Sequence, residues 1–132
     1  MKLIGTKTHG YLDYLTGILL LVLPSLAGWD LRSPASVVPM VLGAFTILYS
    51  LMTNYELGIA KIISVRTHLA IDFLSGLFLA ASPWLFGFSD AVWGPHVVVG
   101  IIEIIVSLIT KARPNTIINT TTTGRTTGTT TI

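Results

Sequence analysis

Residues 7–28, KTHGYLDYLTGILLLVLPSLAG, return as residues 66–87, RTHLAIDFLSGLFLAASPWLFG, in order and 59 positions later. His9 matches His68, Asp13 matches Asp72, Gly17 matches Gly76, Pro24 matches Pro83 and Gly28 matches Gly87. Between them lie conservative exchanges: Lys7 for Arg66, Tyr14 for Phe73, Thr16 for Ser75. A period this long, present twice in an apolar chain, reads as a duplicated membrane unit and not as a solenoid. The copied residues include ionisable side chains, inside segments that belong in lipid.

Composition agrees. Of 132 residues, 52% are hydrophobic and only 11% are charged, against roughly a quarter charged in a soluble domain. A net charge of +2, without a basic cluster, argues against a nucleic-acid partner. The absence of cysteine rules out disulfides, thiolate metal sites and cysteine-ligated iron–sulfur clusters. Apolar stretches at about 8–27, 37–53, 62–84 and 93–110 are each close to the roughly 20 residues that cross a bilayer. The second is the shortest and is expected to be tilted or partly interfacial. The first is read as an uncleaved helix, because no small-x-small cleavage site follows its apolar run.

Lys2, Lys7, Lys61, Arg66, Lys111, Arg113 and Arg125 fall on one side of four such spans, and only Arg32 falls on the other. The positive-inside rule then places both termini in the cytoplasm, with a prokaryotic inner (plasma) membrane as the expected location. Trp29, Trp84, Phe88 and Trp93 lie at the opposite interface, where an aromatic belt belongs. At an offset of 57, Gly43 also meets Gly100, Ser50 meets Ser107 and Thr53 meets Thr110. Each repeat is therefore a helical hairpin, about 7–54 and 66–111. The expected fold is all-α: a four-helix membrane bundle of two parallel-repeat hairpins over 1–113, followed by a tail at 114–132.

Ser82-Pro83-Trp84-Leu85-Phe86-Gly87 ends the third span. This resembles the SPW-repeat family of small membrane proteins, which carry a Ser-Pro-Trp motif near the end of a transmembrane helix. The first repeat departs from the pattern: Leu23-Pro24-Ser25 stands in its place, although Pro24 and Gly28 keep the spacing. The resemblance implies an integral membrane protein and no established chemistry. Physically the motif reads as a helix stop. Proline removes a backbone donor, glycine four residues later can take the helix-ending conformation, and tryptophan anchors at the headgroups.

His9, Asp13 and Gly17 are spaced i, i+4, i+8, as are His68, Asp72 and Gly76, so each set lies on one helix face. The glycines, with Gly43 and Gly100, would let helices approach closely. Asp13 lies roughly 9 Å beyond Lys7, and Glu103 about 12 Å from Lys111, at about 1.5 Å per residue. A charge on the lipid face at that depth costs roughly 2.5–3.5 kcal/mol, so these stripes should face inward. Five groups are expected to converge: His9, Asp13, His68, Asp72 and Glu103. His96 lies near the other face and belongs to no shared site.

Four readings are open. Each histidine can bond the aspartate one turn away as structural glue. The groups can form a proton or cation pathway. Two imidazoles and three carboxylates can hold a divalent metal such as Zn, Mn or non-haem iron. His9 and His68 can ligate haem b. No resident cofactor is required by any motif. No Gly-x-Ser-x-Gly, His-Glu-x-x-His, P-loop or dinucleotide fingerprint occurs, so an enzyme is not expected. The threonine-rich tail has little to bury, and a partner chain or self-association is the expected source of any order in it. Small size and the lack of a catalytic motif favour a non-enzymatic accessory or structural subunit of a membrane assembly, in contact with lipid and other subunits. A proton- or cation-handling protein is the alternative.

Overall fold

Each apolar run forms a helix in the computed structural model, which describes residues 2–113. The helices are α1 (Thr6–Leu26), α2 (Pro34–Leu51), α3 (Val65–Leu85) and α4 (Gly94–Ile109). Proline opens α2 and stands in the first turn of α4, where its missing N–H would have no helical partner anyway. Ser64 caps α3 by accepting the Thr67 N–H. Pro24 and Pro83 lie inside the last turns of α1 and α3 and do not end them. The stop falls to Gly28 and Gly87, each at φ 69°. There the N–H of Trp29 returns to the Pro24 carbonyl at 3.0 Å, and that of Phe88 to the Pro83 carbonyl at 2.8 Å. This is the glycine-terminated closure of a helix end.

Three helices, α1, α2 and α3, are long and apolar enough to span a bilayer. The short element is α4, not α2 as expected from sequence. Its 16 residues reach about 24 Å, below the roughly 30 Å of a hydrocarbon core. It stops early because Thr110 turns extended and pairs with Ile4. Thr53, after α2, pairs with Ile63 in the same way. The two bridges are related by the repeat offsets, so the beginning of each repeat is stitched to the end of the other.

Two tight hairpins result, α1 with α2 and α3 with α4, and they touch each other mainly along α2 and α3. Their crossings are set by glycine. A Cβ on Gly43 would sit 2.6 Å from the Gly17 carbonyl oxygen, and one on Gly76 would sit 2.7 Å from that of Gly100. Neither pair of helices could approach this closely with any side chain there. The burial is inverted relative to a soluble domain. Leu15, Ile18, Val41, Leu74, Leu77, Ile101 and Ile105 are exposed, while His9, Asp13, Ser36, Thr46, His68, Asp72 and Ser107 are buried. An apolar exterior around a polar seam is what a lipid solvent selects. The Thr-rich tail expected at 114–132 lies outside the described residues.

Candidate functional site

His9 and His68 lie one turn into α1 and α3, and Asp13 and Asp72 lie one turn further on. All four are buried. The hairpins bring them into one ring. His9 Nε2 lies 3.1 Å from Asp13 Oδ1 and 2.8 Å from Asp72 Oδ2. His68 Nε2 lies 3.0 Å from Asp13 Oδ2 and 3.1 Å from Asp72 Oδ2. Pairing within a turn, expected from the i, i+4 spacing, is therefore only half of the arrangement. Each imidazole also reaches the aspartate of the other hairpin.

The far side of each imidazole is fixed across the hairpins too. His9 Nδ1 meets Thr110 Oγ1 at 2.8 Å, and His68 Nδ1 meets Thr53 Oγ1 at 2.7 Å. Both threonines spend their own hydrogen on the carbonyl four residues back, Val106 at 2.6 Å and Tyr49 at 2.7 Å. A hydroxyl has one hydrogen, so each can only accept from histidine. Both Nδ1 atoms therefore carry protons, and both Nε2 atoms face carboxylate oxygen. Two tyrosines complete the aspartates: Tyr49 donates to Asp72 Oδ1, and Tyr55 donates to Asp13 Oδ2 at 2.9 Å. Tyr55 stands in the loop after α2. Burial, reinforced by Asp13 beside it, pushes its phenol above the usual range and keeps it a donor.

Glu103 does not join the ring. It lines an adjoining cavity of about 50 Å³ with His9, Asp13, Thr16, Thr46 and Asp72, the apolar Leu12, Ile102 and Val106 completing the wall. That volume accommodates one or two waters at roughly 30 Å³ each. Gly76 makes room for it, since a Cβ there would lie 3.0 Å from the Glu103 Cβ. His96 stays apart, as the sequence implied. Its Nε2 donates to the Ala35 carbonyl at 2.8 Å. That carbonyl is available because Pro39, four residues on, has no N–H to offer it.

A haem between His9 and His68 does not fit. Their rings meet edge-on at 5.4 Å, and the macrocycle would need the space that both carboxylates occupy. A metal ion fits the donor set, since imidazole nitrogen and carboxylate oxygen suit a first-row transition ion.

Sequence reasoning missed Thr53, Thr110, Tyr49 and Tyr55. The threonines left a signal, because they match at the 57-residue offset. The tyrosines left none: Val106 and Ala112 stand at their counterparts.

The helix-end motif has a similar logic. Pro83 leaves the Leu79 carbonyl without its helical donor, and Ser82 Oγ supplies one at 2.7 Å. Trp84 is exposed near Trp93, their rings 6.4 Å apart, at the end remote from the ring. Neither the curated proteins nor the solved structures contain a match to this chain. The family described as SPW repeat domain matches residues 7–110, which takes in all four helices. With both hairpins inside that match, the chain belongs to the SPW repeat family of small membrane proteins.

Proposed function

We propose that this membrane protein handles a proton or cation at the joint between its two hairpins. One observation carries the reading. Four ionisable side chains from two repeats close into a ring whose nitrogen–oxygen edges span 2.8–3.1 Å. Ionisable groups at membrane depth are costly, and ones that face a cavity between helices are the usual parts of ion and proton routes. The basic end of the bundle faces the cytoplasm in this reading, so the ring opens nearer that side.

The test is flux in proteoliposomes under an imposed proton or cation gradient. Wild-type protein should conduct, and Asp13→Asn with Asp72→Asn should abolish flux while helical content and monodisperse elution persist. No flux from folded wild-type protein rejects the reading.

The depth of burial supports a second one. The ring side chains are 0–7% exposed, which suits a polar clamp inside a non-enzymatic accessory subunit. Gentle solubilisation of the native membrane separates the two. A stoichiometric complex with other proteins supports the subunit, and a particle of this chain alone opposes it. Neither reading makes the chain an enzyme.

A further inference from the structure

We propose that the ring of His9, Asp13, His68 and Asp72 is a binding site for one divalent first-row transition ion. This deepens the cation reading above and rests on it for function, though not for binding.

The first argument is geometric. Two imidazole nitrogens meet Asp72 Oδ2 and the two oxygens of Asp13 at 2.8–3.1 Å, and one ligand atom from each of the four residues can be taken with no two more than 4.8 Å apart. Imidazole and carboxylate ligands stand roughly 2.0–2.2 Å from a first-row ion, so four donors gathered this closely could share one ion after a small inward adjustment.

The second argument is an orphaned atom. His68 Nε2 is fully buried, within ion-pair distance of both carboxylates and aligned squarely with neither. An atom shared between two carboxylates, and aimed squarely at neither, lies where an ion replacing its proton would meet all three groups.

The third is the support behind the ring. Thr53 and Thr110 hold both histidines with Nδ1 protonated and Nε2 turned inward. Histidines that bind metal commonly have their other nitrogen fixed in this way, which sets the tautomer and the ring plane.

Charge selects the ion. Two neutral imidazoles and two carboxylates sum to −2. One divalent ion, or two protons on the Nε2 atoms, brings the ring to zero. The two fillings are therefore exchangeable without leaving net charge in the low-dielectric interior. A monovalent ion would leave one charge uncompensated. Calcium and magnesium prefer all-oxygen shells. Loading the protonated ring follows M²⁺ + ring·2H⁺ → ring·M²⁺ + 2H⁺, and the cavity beside Glu103 gives the leaving protons somewhere to go.

The experiment is calorimetry on the full-length chain in nanodiscs, stripped with chelator and titrated with Zn²⁺ in two buffers of different ionisation enthalpy. One ion per chain with about two protons released is expected. Asp13→Asn with Asp72→Asn should lose binding, and His96→Gln should keep it. Thr53→Val with Thr110→Val leaves all four ligands and should weaken binding by roughly 10–100-fold. Co²⁺ should give the visible absorption of a four-coordinate nitrogen–oxygen site in wild-type protein. The proposal is overturned by folded wild-type protein that shows no saturable binding, or by binding unchanged in the double aspartate variant. Proton flux without ion binding would overturn the metal site and leave the proton reading intact. Ion binding without flux would do the reverse.

Discussion

Leu79 and Ala35 each have a carbonyl that a proline four residues later cannot satisfy. Ser82 repairs the first from within its own helix, and His96 repairs the second from the other hairpin. Removing either donor strands a buried acceptor. Ser82→Ala should cost about 0.5–1.5 kcal/mol, and His96→Leu about 1–3 kcal/mol because His96 also joins two hairpins. Reversible unfolding in mixed detergent micelles would read both. Tyr55→Phe takes a donor from Asp13 and should cost a similar 1–3 kcal/mol, roughly the range for a bond to a charged group. Serine before proline was legible as a motif, but its purpose was not. The reason emerges only when the orphaned carbonyl is known. The partner of His96 was invisible, because it is a backbone atom 61 residues away.

The helices show how far periodicity carries. Four apolar runs gave four elements, and the i, i+4, i+8 stripes gave their inner faces. The glycine pairs read from the two offsets are the crossing points: Gly17 with Gly43, Gly76 with Gly100. Gly43→Ala would drive a methyl group to 2.6 Å from the Gly17 oxygen, so α1 and α2 must separate. A loss of about 1–3 kcal/mol is expected, as for other overpacked contacts. Gly94→Ala, where an added Cβ meets nothing within 4 Å, is the control and should leave the unfolding midpoint in place. The bounds of α4 were legible to within a residue at each end, but composition cannot see that Thr110 leaves the helix to pair with Ile4. Long-range pairing overrode a local preference there.

Between the hairpins the helices touch mainly along α2 and α3, and the polar ring joins them together with the two backbone bridges and the apolar cluster around Tyr55. Asp13→Asn with Asp72→Asn should therefore loosen one hairpin against the other without melting either. The absence of cysteine simplifies the measurement. Spin labels on cysteines introduced at the exposed positions Ile18 and Leu77 should report a narrow distance in the wild-type ring. A broader distribution is expected once the aspartates are changed. An unaltered distribution would mean that other contacts hold the halves together. The convergence of two His–Asp stripes was legible from the repeat. That every histidine would be served by the opposite hairpin was not, because sequence spacing shows only neighbours on the same helix.

That exchange across the two halves has a consequence for symmetry. A single hairpin carries half of a ring and cannot close it, since its histidine needs the threonine and the aspartate of another copy. Two identical hairpins meeting about a two-fold axis would have everything required. The arrangement is the one that a homodimer of such hairpins would form, here held in a single chain. A single chain also releases the halves from having to be alike. Tyr49 and Tyr55 occur in the first half only, with Val106 and Ala112 at their counterparts. The two aspartates of the ring have thus become distinguishable, a difference that no pair of identical chains related by that axis could encode.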